Sequence, residues 1–173
     1  MSNKPIIVFE GIEGSGKTTH LKNIASYLKK RNVKYVSLRE PGGSKNSELI
    51  RKIILNKKSD LHIFSDLLLY LAARNENINK IIKKNYKKKI IIIDRFIDST
   101  IAYQHFGMGL DKKIINYLNK LILKNIKPDF TFLNIVSMKN LKLRLNLRKN
   151  KNRYDNFNIK FYYKIQKGFI SMA

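Results

Sequence analysis

The residues most able to do chemistry sit near the start of the chain. Lys17 follows Gly16 and precedes Thr18 in the run Gly11-Ile12-Glu13-Gly14-Ser15-Gly16-Lys17-Thr18-Thr19. This spacing is the G-x-x-x-x-G-K-[ST] pattern of a phosphate-binding loop. Its glycines let the backbone turn so that N–H groups point inward at phosphate oxygens. The helix expected from Lys17 adds its positive N-terminus. Lys17 is placed to reach the outer phosphates, and the Thr18 hydroxyl to ligate Mg²⁺. Residues Gly11, Ile12, Glu13, Gly14, Ser15, Gly16, Lys17, Thr18 and Thr19 are therefore the expected cradle for a nucleoside triphosphate. A chance glycine-rich turn can match the letters, but this one follows the apolar run Ile6 to Phe9 and opens a helical pattern. Two classes stay open on these residues: a kinase of a small molecule, or an NTPase that does work on a partner.

A second set of residues lies further on. Asp94 ends the apolar run Ile90 to Ile93, where a carboxylate would hold magnesium through water. Arg95, beside it, is a natural clamp for a second phosphate; the bland alternative is a surface arginine paired with a local acid. Tyr70 and Arg74 are four apart on an expected helix, hence on one face, where a ring can stack on a nucleobase and a guanidinium can hydrogen-bond it. Read alone, such a pair is as readily a core edge with a snorkelling arginine. Glu13 is the puzzle, a carboxylate inside an anion-binding loop.

These positions need a scaffold. Expected strands are Pro5–Phe9, Val33–Leu38, Ile90–Ile93 and Asp129–Ile135. Expected helices are Lys17–Arg31, Ser47–Leu55, a longer one within Leu61–Tyr86, Ile97–Phe106, Lys112–Lys124, Met138–Arg148 and Asn158–Ile170. Strand–helix alternation over one domain of 173 residues means an α/β fold, a parallel sheet with helices on both faces. Ligands then bind at the carboxyl ends of the strands, where each polar cluster falls. The chain has no cysteine, so neither disulfides nor thiolate zinc sites are available. No run approaches the roughly 18 apolar residues of a membrane span, and no signal peptide is visible. A soluble cytoplasmic protein is the expectation, with no membrane partner.

The net charge of +24 invites a nucleic-acid reading. The excess is mostly lysine, in runs such as Lys87-Lys88-Lys89, among abundant Asn and Ile, without aromatics interleaved with glycines or a recognition helix. It reads as a solvated basic surface that favours an anionic small substrate over nucleic acid.

The segments FEGIEGSGKTT, REPGG, LLLYLAARNE, DRFIDSTIAYQ, PDFTFLNI and RYD follow, in order and spacing, the pattern of bacterial thymidylate kinases, and the resemblance covers nearly the whole chain. It implies a P-loop NTPase three-layer fold and transfer of the γ-phosphoryl of ATP to dTMP with Mg²⁺, held by Thr18 and Asp94. Arg95 would hold the dTMP phosphate and Tyr70 would stack on thymine. Arg74 would hydrogen-bond the base, and Thr100, Gln104 and Pro41 would complete its pocket. Tyr103 would pack under the deoxyribose. Glu13 would face the sugar 3′-hydroxyl and the phosphates, which gives the carboxylate in the loop a purpose. Some members carry an arginine in the loop where this chain has Gly14, so the missing charge is expected from a lid at about residues 144–156, with Arg153 the first candidate and Arg148 the second. Lys17, Arg95, Arg148, Arg153 and Glu13 are thus the expected catalytic set. A homodimer is implied by the resemblance alone. The family pattern also continues past Ala173, with a further strand, a loop touching adenine and a closing helix, so the strand near Phe130 is expected at the sheet edge. The alternatives are another P-loop nucleotide kinase, or an impaired P-loop protein whose basic surface binds nucleic acid.

Overall fold

The computed structural model describes residues 4–149 and 152–173; residues 150 and 151 of the expected lid lie outside the described residues. Four strands form, β1 (Ile6–Glu10), β2 (Tyr35–Arg39), β3 (Ile90–Asp94) and β4 (Phe130–Leu133). They pair in the order β2-β3-β1-β4, every pair parallel. Both faces of the sheet are covered, and the period of two explains which residue goes where. Ile6, Val8, Ile91 and Ile93 point to one face and pack with Ile78, Ile82, Phe96 and Leu123. Phe9 and Ile92 point to the other, against Leu21 and Leu28 of α1 (Lys17–Lys30). Continuous apolar strands are what a doubly covered parallel sheet requires, and the expected three-layer α/β architecture is what forms.

Element boundaries move by one or two residues for local reasons. Helix α1 closes with Val33 donating to the Leu28 carbonyl at 2.9 Å, so β2 begins at Tyr35 rather than Val33. Strand β4 ends at Leu133 because the chain then leaves the sheet, and the Val136 amide is taken by Gln166 Oε1 at 3.1 Å. β4 lies at the margin of the sheet, with Phe130 and Phe132 exposed. Helix α2 (Lys45–Leu55) starts earlier than expected, because the Ser44 hydroxyl caps it by accepting from the Ser47 amide.

Helix α3 (Ile63–Asn77) runs on through a π turn, Ile78–Ile82, into the short α4 (Lys83–Asn85), so the single long helix expected there is interrupted. The helix expected at Ile97–Phe106 is likewise α5 (Ile97–Thr100) followed by a wide π turn, Ile101–Gly107. That turn carries Tyr103 and Gln104, consistent with the clustering of π geometry at functional sites. The remaining elements are α6 (Lys112–Leu123), α7 (Met138–Asn146), a 3₁₀ turn Arg153–Asn156 and α8 (Ile159–Met172).

The strand order brings the two chemical segments side by side. β1 lies between β3 and β4, and Phe9 is in register with Asp94. The loop after β1 and the Asp94-Arg95 pair after β3 therefore meet at neighbouring strand ends, the crevice where α/β sheets hold ligands.

Candidate active site

The loop after β1 takes the shape its glycines permit. Gly11 has φ 134°, and a Cβ there would lie 2.3 Å from the Asn134 carbonyl oxygen, so no side chain fits. Gly16, at φ 94°, forms the turn into α1. Lys17 is buried and folds back on the loop, its Nζ donating to the carbonyls of Gly11 and Ile12, both at 2.9 Å. Burial, followed by the nearby Arg95 charge, lowers this ammonium to about 8, while Asp94, Glu13 and Glu10 oppose the drop. A site built this way awaits the negative charge that would restore the lysine.

Glu13 lies between cations. Arg95 Nη2 donates to Glu13 Oε1 at 3.0 Å and its Nη1 to the Gly11 carbonyl at 2.8 Å. Tyr103 donates its hydroxyl to Glu13 Oε2, and the Arg95 guanidinium lies 5.1 Å over the Tyr103 ring. Burial alone would raise the Glu13 carboxyl, but Arg95 and Lys17 overcome it and hold the group below the usual carboxylate range. Arg95 itself is held above its ordinary value; burial would lower it, and Tyr103, Glu13 and Asp94 more than offset that. Both stay ionised, which suits a group that must meet a phosphate without a proton exchange.

Asp94 sits at the end of β3, and its buried Oδ1 has no hydrogen-bond partner among the described residues. A buried carboxylate oxygen without a partner needs a cation or a water. Thr18 lines the same cavity. This donor set, hard oxygens beside a phosphate loop, fits Mg²⁺.

One cavity of about 360 Å³ gathers the expected residues. Glu13, Gly14, Lys17, Thr18, Pro41, Tyr70, Arg74, Asp94, Arg95, Thr100, Tyr103, Gln104 and Arg148 all line it. Ser15, Gly16 and Thr19 line the adjoining space over the loop, while Gly11 and Ile12 are buried behind it. Arg74 is 2% exposed and largely committed to the protein. It donates to Glu40 at 2.7 Å, Asn119 at 2.6 Å, the Phe96 carbonyl at 2.8 Å and Thr100 at 3.0 Å. Those four bonds leave one of its five N–H groups for a ligand.

The lid residues separate. Arg148 lines the cavity and pairs with Asp155 at 2.7 Å, its own side chain 41% exposed. Arg153 does not line it; its guanidinium bonds the buried Asp66 carboxylate and the Tyr154 hydroxyl instead. The expected ranking, Arg153 before Arg148, is therefore the reverse of their placement. Asp66 on α3 is 1% exposed, and a carboxylate buried to that degree needs a paired cation, which Arg153 supplies among the described residues.

Three contributors were not singled out in the sequence. Arg144, on α7, donates to the Gly14 carbonyl and lines both the cavity and the space over the loop. It brings positive charge to the position where Gly14 supplies none. Its four-residue spacing from Arg148 in the expected helix Met138–Arg148 is the signal the sequence offers, although α7 ends at Asn146. Arg51 lines the cavity and donates to the Pro41 carbonyl at 2.5 Å; burial, then the neighbouring Arg39, pulls it below its ordinary value. Tyr154 adds a third aromatic wall, edge-on to Tyr70 and Tyr103 at 6.5 and 5.7 Å. Arg51 carries no local pattern that marks it, whereas Tyr154 stands inside the RYD segment on which the resemblance rests.

A family model described as thymidylate kinase matches residues 9–173. A thymidylate kinase of Wolbachia pipientis wMel is 44% identical, over 96% of this chain and 84% of the relative. One of Mycoplasma capricolum is 39% identical, over 96% of this chain and 80% of the relative. The crystal structure of thymidylate kinase from Ehrlichia chaffeensis superposes with a TM-score of 0.80 at 39% identity, covering 99% of this chain and 85% of that one.

Proposed function

The chain belongs to the thymidylate kinase family and phosphorylates dTMP, and from that premise we propose how its own residues carry out the transfer with ATP bound to the loop after β1. The observation that supports the assignment most is the meeting of Lys17 and Arg95 in one cavity with Glu13 between them. Two anion sites face each other across a single carboxylate, as transfer between two phosphates requires.

The donor phosphates occupy the loop Gly11–Thr19, with Lys17 released from the Gly11 and Ile12 carbonyls onto the outer phosphate. Arg95, with Arg51 beside it on the cavity wall, holds the dTMP phosphate. An oxygen of that ionised phosphate attacks the γ-phosphorus; the new P–O bond forms as the bond to the β,γ-bridging oxygen breaks, and ADP leaves with the electron pair. No strong general base is required, because the attacking oxygen is already anionic near pH 7. The protein's contribution is alignment and compensation of charge on the moving group. Mg²⁺, held by Thr18 and Asp94, would supply charge neutralisation of the donor phosphates. Glu13 keeps Arg95 and Tyr103 in place and faces the acceptor sugar. Tyr70, Pro41, Thr100 and Gln104 enclose the base, Arg74 offers its remaining N–H to it, and Tyr103 lies under the sugar. The lid, residues 144–156, closes over the donor with Arg148 foremost and Arg153 anchoring it.

The protein works in the cytoplasm, where both nucleotides are held, and as a homodimer. Support for the dimer comes from exposed apolar residues at helical spacing on three helices: Leu49 and Ile53 of α2, Phe64 and Leu68 of α3, and Ile114, Tyr117 and Leu121 of α6. Helix α3 packs against both α2 and α6. Apolar stripes of this extent mark association surfaces. Sedimentation velocity is expected to give a dimer that Leu68→Glu disrupts; a monomeric wild-type protein contradicts this.

Titration calorimetry of Arg95→Ala tests the acceptor assignment. Loss of a buried charge-assisted phosphate contact is expected to weaken dTMP by about 10²-fold with ATP affinity nearly unchanged. Unchanged dTMP affinity with lost ATP affinity would show that Arg95 serves the donor.

A further inference from the structure

We propose that Glu10 is a positioning residue for the acceptor phosphate, acting through Arg95 and resting on the reading that Arg95 binds that phosphate. Glu10 ends β1, one residue before the loop, and is 1% exposed. It does not line the cavity, and no basic side chain pairs with it among the described residues. Its carboxylate is spent on the segment that follows β3. Oε1 accepts the Phe96 amide at 2.8 Å and the Ser99 amide at 3.2 Å, and Oε2 accepts the Ser99 hydroxyl at 2.5 Å.

Those amides are the ones the first turn of α5 cannot satisfy for itself. α5 has no side-chain cap of its own, so a residue from the neighbouring strand performs that role. Arg95 stands just ahead of the turn at φ 67°, in the left-handed region that a residue's own Cβ disfavours. Such a conformation persists only where the surroundings over-determine it. Two contacts do so here. The Arg95 amide donates to the Phe9 carbonyl at 2.9 Å, on the strand residue before Glu10. The Glu10 carboxylate then fixes the next turn, and with it Ser99, whose hydroxyl also lies 3.4 Å from Arg95 Nη1. The guanidinium is thereby aimed at Gly11 and Glu13 rather than at solvent.

Keeping a carboxylate in this position opposes the ordinary preference for solvation. Burial pushes Glu10 up to about 7, against the pull of the Ser99 and Phe96 bonds. A shape-filling apolar residue would avoid that cost but would leave two buried amides unpaired. The carboxylate accepts from both amides and the hydroxyl at once, which an amide side chain does less well because one of its ends only donates.

The test compares wild type, Glu10→Ala, Glu10→Gln, Arg95→Ala and the Glu10→Ala/Arg95→Ala double variant. Calorimetry reads dTMP, thymidine and a non-hydrolysable ATP analogue. Glu10→Ala is expected to weaken dTMP by about 10-fold or more while thymidine and the ATP analogue move by less than about 3-fold, because the lost aim concerns the phosphate alone. Glu10→Gln, nearly isosteric, keeps one acceptor and is expected to fall between the two. In the Arg95→Ala background, adding Glu10→Ala is expected to change dTMP affinity by less than about 2-fold, since residues acting through one contact are not additive. If Arg95→Ala weakens dTMP and folded Glu10→Ala, or Glu10→Gln where the alanine variant does not fold, binds dTMP as wild type does, the proposal is overturned and the acceptor reading stands. Equal losses for dTMP, thymidine and the ATP analogue also overturn it, as a general structural role. If Arg95→Ala itself leaves dTMP affinity intact, the acceptor reading fails instead.

Discussion

Lys17→Ala is expected to lower kcat by about 10²-fold or more, the consequence of removing several kcal/mol of charge stabilisation from the transferring group. The ammonium sits inside the loop, bonded to the Gly11 and Ile12 carbonyls, where no water can replace it cheaply. An interaction that strengthens as charge develops on the γ-phosphoryl lowers kcat more than it raises KM when deleted. Steady-state release of ADP in the presence of dTMP reads the effect, and near-normal turnover would remove Lys17 from the mechanism. The same group gives the wild type a pH signature. Its value is lowered to about 8, so the free enzyme carries the charged form below that pH and loses it above. Binding a polyanionic nucleotide favours the charged form, so ATP affinity is expected to fall as the pH rises through about 8, and the Lys17→Ala variant to lack that step.

The second large effect concerns the lid. Arg148→Ala is expected to cut kcat by at least about 10²-fold with little change in dTMP affinity, in line with the 10³–10⁵ that arginines contribute to comparable transfers. Arg148 faces the cavity and its side chain is 41% exposed against 15% for Arg153, so it is the freer of the two to swing onto a phosphate, while its buried partner Asp155 keeps the Asn152 amide at 2.6 Å. Arg153 is bound to the buried Asp66, and moving it would strand a carboxylate. Arg153→Ala is therefore expected to loosen the lid and lower kcat less. Lysine should restore Arg148 poorly, because a point charge does not replace a planar fork. Single-turnover kinetics separates the chemical step from release. Wild-type rates in both alanine variants and their double would assign the charge to Arg144 or Arg39.

Much of this site could be read from the residues, and the reason is that its chemistry is local. The loop after β1 is contiguous, its spacing constrained by backbone geometry at Gly11 and Gly16, and Asp94-Arg95 ends an apolar run of four isoleucines. The three-layer sheet followed from the same continuous apolar strands. What escaped depends on contacts across the chain. Arg51 joins the cavity because α2 packs back on the Pro41 turn, and Tyr154 because Asp66, 88 positions earlier, takes its hydroxyl at 2.9 Å. Arg153 looked catalytic from its motif, yet its direction is set by that same buried carboxylate. Glu10 reads in sequence as the polar end of a strand, and its capping of α5 depends on strand order, which places β1 beside β3. The π turn at Ile101–Gly107 is equally invisible to a period of 3.6, which treats the segment as ordinary helix.

The account stands most directly on acceptor choice. ADP release is measured with ATP and, in turn, dTMP, dUMP, dCMP and AMP. dTMP is expected to give the highest kcat/KM. The one methyl that separates it from dUMP, packed near Tyr70 and Pro41, is worth about 1–3 kcal/mol, so the preference should be roughly 10–200-fold. dCMP and AMP should be poorer still, because neither presents thymine's edge to Arg74. ADP release that dTMP does not accelerate, or equal kcat/KM for dTMP and AMP, would contradict the account.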